Sequence, residues 1–150
     1  MRPLPKNAKS NVLDRNHLIA LNRIGDILLP RNGEHPSFSD VGCIQHVDLL
    51  VAYAPEEDMK DLRGLLAALR WLPGPLLRCI VWVSQNGHTW PEPLGTLCRK
   101  LDIAFRSILL GLYYSGKCAD EYTGKTPLEV IGFETSAIHL DGRVTNTGAR

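Results

Sequence analysis

Residues 93–114 read PLGTLCRKLDIAFRSILLGLYY, and the fold class turns on this stretch. Leu94, Leu97, Cys98, Leu101, Phe105, Ile108, Leu109 and Leu112 recur at spacings that gather them on one stripe of a helix. Arg99, Lys100, Asp102 and Arg106 take the other side, which predicts a core helix with one wet face. Asp102 stands one turn before Arg106 in the favourable acid-then-base order. Such a pair contributes only a few tenths of a kcal/mol, so most of the stability of this helix must come from the helices packed on it. After Gly111 the chain changes character, first to LYYSG over 112–116 and then to YTGKTPLEVIGF over 122–133, dense in aromatics and turn formers.

Upstream, Ser84 to Pro91 has the composition of a loop, with Asn86-Gly87 as its turn. Leu76 to Val83 is a short apolar run compatible with a buried helix or a strand. It is expected as a helix, because no neighbouring segment offers a second strand. Before Pro73-Gly74-Pro75, the residues Met59, Leu62, Leu65, Leu66, Leu69 and Leu72 form a third helical stripe. Pro55 suits its first position, and Glu56, Glu57 and Asp58 suit the positive end of its dipole. A second helix is expected from Asp40, capped by Ser39, with Val41, Ile44, Val47 and Val51 inward. The first runs from a cap at Ser10 or Asn11 through Leu13, Leu18, Leu21, Ile24, Ile27 and Leu28, and stops as Pro30 approaches. Downstream, Thr126-Pro127-Leu128-Glu129 has the form of a capping box with proline in the first turn, ending at Gly132. The expectation is an all-α, single-domain bundle of about five helices with a loop-rich C-terminal segment. Residues 1–9 form an extended arm, 10–133 the helical core and 141–150 a mobile tail.

The chain has 150 residues, 44 % hydrophobic content and a net charge of +1. That length buries a core without disulfides or metal. The balanced charge argues against a disordered tail and against a dedicated nucleic-acid binder. No apolar run reaches the ~20 residues that span a bilayer. The first ten residues carry positive charge with no apolar stretch after them, so a cytoplasmic location is expected, periplasmic only by export with a partner. Cys43, Cys79, Cys98 and Cys118 lie far apart with no Cys-x-x-Cys, which suits reduced thiols, although four cysteines leave disulfides open.

Cys43 and His46 stand three apart, a spacing that suits two metal ligands or a nucleophile with its base. His35, His88 and His139 complete no pattern with them, so a packed cysteine and a surface histidine are the reading preferred here. Glycine-rich phosphate motifs and haem-attachment motifs are missing from the sequence, and no residue is assigned a catalytic, cofactor-binding or metal-binding role. Tyr113, Tyr114, Tyr122 and Phe133 are the candidate partner interface, since aromatic rings anchor protein contacts. The competing reading is that these rings close the end of the bundle, their hydroxyls bonded to loop backbone. Trp71, Trp82 and Trp90 are weaker candidates for the same role.

Three pieces, residues 21–30 (LNRIGDILLP), residues 39–48 (SDVGCIQHVD) and Gly111–Tyr114 followed by Tyr122 and Ile131–Phe133, together resemble the gluconate 2-dehydrogenase subunit 3 family. These are small, cofactor-free subunits of bacterial flavin dehydrogenases. The resemblance implies a large partner subunit that carries FAD, belongs to the glucose-methanol-choline type and acts on an alcohol or sugar-like substrate, in some complexes joined by a cytochrome c subunit. It implies that this chain stabilises or matures that partner without chemistry of its own. Many such relatives carry a twin-arginine signal, and the start of this sequence lacks the paired arginines. The alternative class is a stand-alone ligand-binding helical protein or enzyme with a pocket near Cys43 and His46.

Overall fold

The computed structural model describes residues 3–5, 8–133, 136–138 and 144–146. Seven α-helices occur among them: α1 (Arg15–Leu28), α2 (Phe38–Val41), α3 (Asp48–Val51), α4 (Glu56–Arg70), α5 (Gly74–Gln85), α6 (Leu94–Tyr113) and α7 (Pro127–Val130). Short 3-10 turns at Cys43–His46 and Gly87–Thr89 join them. The domain is all-α in its body, as the apolar periodicity requires, and Leu76 to Val83 is helical within α5.

The hub is α1, which touches α2, α4, α5 and α6. Leu18, Ala20, Leu21, Asn22, Ile24 and Gly25 are all buried, so the covered arc of α1 is wider than a single stripe. Its start lies later than the cap expected at Ser10 or Asn11. Asp14 accepts from the Asn16 and His17 amides, and the His17 ring returns a bond to the Asp14 amide, closing a reciprocal cap. The hydroxyl of Ser10 instead bonds the Asp48 carboxylate and accepts from the Val12 and Leu13 amides, tying the start of the chain to α3. Toward its end, α1 approaches α2 so closely that a Cβ added at Gly25 would lie 2.3 Å from the buried ring of Phe38.

The second expected helix is broken into three pieces. Ser37, not Ser39, is the cap, because Asp40 at the third position can complete a capping box with it, and the Ser39 amide and hydroxyl both bond Asp26 of α1 instead. Gly42 then turns left-handed at φ +68°, and the chain continues as the 3-10 turn and α3. Val41, Ile44, Val47 and Val51 nonetheless all face the core, as their spacing predicts.

Two further expectations are corrected. The extended arm is docked: Leu4 and Ala8 are buried against the core, and the Ala8 amide bonds the Pro5 carbonyl at 3.1 Å. The stripe of α6 is inward only in part, with Phe105, Leu109 and Leu112 buried but Leu94 and Leu97 exposed, because the first turns of α6 extend along α5 and the second 3-10 turn at the margin of the core. The Asp102–Arg106 pair forms at 2.8 Å on the wet face. Near the C-terminus, Ser136–Ile138 (β1) pairs antiparallel with Val144–Asn146 (β2), Ala137 opposite Thr145. Apart from β2, the tail expected to be mobile, 141–150, lies outside the described residues.

Candidate partner interface

The end of α6 places consecutive tyrosines in different surroundings, Tyr113 in its last turn and Tyr114 at its C-cap. Tyr113 is 3 % exposed and its hydroxyl donates to the Pro36 carbonyl at 2.6 Å, pinning α6 to the loop before α2. Burial pushes its phenol up to about 12, with the neighbouring Tyr114 adding to the shift. Tyr114 meets that ring edge-on, centroids 5.0 Å apart, but keeps 38 % of its own surface in solvent.

Beyond Gly116, which turns left-handed at φ +72°, the chain crosses back over the broken second helix. The Ala119 amide donates to the Val41 carbonyl at 2.9 Å, and a Cβ on Gly42 would come within 2.6 Å of the Ala119 methyl. Tyr122 is half-buried and its hydroxyl donates to the Lys125 carbonyl at 2.7 Å, while Lys125 reaches Glu34 at 3.1 Å. The capping box of Thr126 and Glu129 starts α7 as the sequence predicts. After it, the Phe133 amide returns to the Leu128 carbonyl and leaves the Phe133 ring 57 % exposed. Of the four aromatic candidates, Tyr113 and Tyr122 close the end of the bundle, and Tyr114 and Phe133 present rings to solvent.

Cys43 and His46 both lie beside Cys118, the thiol as its electrostatic neighbour and the ring through its carbonyl. Cys43 is fully buried, and burial together with the nearby Cys118 pushes its thiol from 9.0 to about 12. A thiol held protonated is the reverse of what a nucleophile needs. The His46 ring lies 3.2 Å from the Cys118 carbonyl, so it serves to hold the crossing segment. Among the described residues no group of three or more histidines, cysteines or carboxylates is arranged to hold a metal ion.

Sequence periodicity missed a second exposed surface. On α3, Leu49 and Leu50 are exposed, and Tyr53 just after it is 93 % exposed. A Leu50 methyl lies over Gly111 of α6, 3.0 Å from where a Cβ would stand. Gly111 shares its helical face with the exposed Ile103 and with Tyr114. The available signal was Ile103, an apolar residue on the charged side of the α6 stripe. At the other end of α6, Trp82, Trp90, Leu94 and Leu97 are exposed as well. Trp71 is 78 % exposed, with the Arg70 guanidinium 4.6 Å from its ring centroid.

Among the described residues no helix is long and apolar enough to cross a membrane. Comparison with protein-family models, with curated proteins and with solved structures gives no match.

Proposed function

We propose that this chain is a small, non-catalytic subunit whose exposed apolar side chains seat a large FAD-dependent oxidoreductase of the glucose-methanol-choline type. The partner carries the FAD and performs the hydride chemistry on an alcohol or sugar-like substrate, and a cytochrome c subunit is a further candidate member of the complex. The observation that supports a docking role is the number of large apolar side chains left in solvent around α3 and α6, Leu49, Leu50, Tyr53, Ile103 and Tyr114, together with Phe133. Large rings and branched chains kept in water are the usual anchors of a protein interface. The class of partner comes from the resemblance carried by residues 21–30, 39–48, Gly111–Tyr114, Tyr122 and Ile131–Phe133.

In the fold the first two pieces are joined by the Ser39 amide and hydroxyl on Asp26, and residues bordering the pieces add the Phe38 amide on the Leu29 carbonyl, the Tyr113 hydroxyl on the Pro36 carbonyl and the Ala119 amide on the Val41 carbonyl. They hold the frame on which the docking side chains stand. Co-expression with an FAD-dependent oxidoreductase of this type from the same source tests the reading. The expected result is a co-purifying complex in which the large subunit is soluble and yellow. Tyr114→Ala combined with Phe133→Ala should weaken it by about 2 kcal/mol while the free chain stays helical by circular dichroism. A large subunit that is soluble, flavin-loaded and fully active without this chain would overturn it.

A further inference from the structure

A cleft of about 610 Å3 opens between the C-terminal half of α1, the start of α2 and the first turns of α5. Its volume is in the range that takes a small molecule. Among the described residues Arg23, Arg31 and Arg78 line it together with Asp26 and Asp40, three cationic side chains against two anionic ones. Both carboxylates are already held. Asp26 accepts from the Ser39 amide and hydroxyl, each at 2.8 Å, and Asp40 accepts from Arg31 at 2.8 Å and from the Ser37 amide at 3.1 Å. Arg23 is fixed by the carbonyls of Arg70 and Leu72, each at 2.5 Å, where α4 ends.

Arg78 makes no hydrogen bond or ion pair among the described residues, whereas Arg23 and Arg31 are both engaged. Beside it the cleft is apolar, with the buried Leu77 and half-buried Ile27. We propose that this cleft binds a small organic monoanion, its carboxylate in the fork of Arg78 and its hydrocarbon part against Ile27 and Leu77. A carboxylate matches the guanidinium fork with two parallel hydrogen bonds. The start of α5 adds its positive dipole end on the same side. This site is separate from the docking surface, so it stands or falls apart from the subunit reading.

The test titrates the full chain with sodium hexanoate, inorganic phosphate and hexylammonium chloride at constant ionic strength, read by amide NMR shifts and calorimetry. The expected result is saturable hexanoate binding that shifts the amides of α5's first turns and is weakened at least about tenfold in Arg78→Gln. Arg78→Lys, which keeps the charge but not the fork, should fall between the two. Both variants should unfold at the same temperature as the parent, since Arg78 supports no contact. Several results would overturn the proposal: no saturation, equal binding by Arg78→Gln, phosphate as good as hexanoate, or binding of hexylammonium.

Discussion

Tyr113 and Tyr114 are neighbours of one residue type, and the fold gives them opposite work. Removing the Tyr113 hydroxyl strands the Pro36 carbonyl in the interior, so Tyr113→Phe should cost about 1 kcal/mol in urea denaturation. Tyr113→Ala should cost about 3 to 5 kcal/mol, because a large buried ring is lost. Tyr114→Ala should stay within about 0.5 kcal/mol of the parent, as expected for a side chain at the surface. A test of docking must therefore leave Tyr113 intact. Cys43 and Tyr113 also set the alkaline limit of stability. Each has a folded pKa above its ordinary value, so its contribution is whole below that value and is lost as pH rises toward the folded one. For Cys43 the window runs from 9.0 to about 12, and for Tyr113 from 10.0 to about 12. Unfolding free energy should fall as pH rises through this window, and Cys43→Ala should flatten the early part of the fall relative to its own value at neutral pH.

At the scale of elements, the break between α2 and the following 3-10 turn is the instructive departure. Gly42 was visible in the sequence, but a glycine inside an apolar period does not say whether the helix tolerates it or ends there. Here the crossing segment decides. The Ala119 methyl occupies the space a Cβ would need, and the left-handed backbone is strained for any other residue. Gly42→Ala is expected to destabilise the fold by about 2 to 4 kcal/mol, checked by thermal or urea unfolding, as strain and overpacking add. The choice of Ser37 over Ser39 has a similar origin, since both serines suit a cap and only the approach of Asp26 from α1 assigns Ser39 elsewhere. At Thr126 and Glu129 the local cap matched the sequence reading, whereas at α1 the equally local pair of Asp14 and His17 was passed over for Ser10 or Asn11.

At the scale of the whole molecule, the helix with the clearest period is not the one at the centre. The α6 stripe is conspicuous because one side is wet, whereas α1 is covered on several sides and its buried Ala20, Asn22 and Gly25 dilute the pattern. A large share of aromatic surface remains outside. The emission of the isolated chain should resemble solvated indole and be readily quenched by acrylamide, given that Trp71, Trp82 and Trp90 are all exposed. Emission typical of buried indole in the monomeric chain would contradict this arrangement.

By itself the sequence determined the class of fold, the order of its longer helices and the cap at Thr126 and Glu129, because apolar period and part of the capping chemistry are encoded within a few turns. Only the tertiary structure decided which helix lies at the hub, that Tyr113 faces inward while Tyr114 does not, that Cys43 is fully buried, and that three arginines share one cleft. Those outcomes depend on segments far apart in the chain, whose approach leaves no periodic trace in either one.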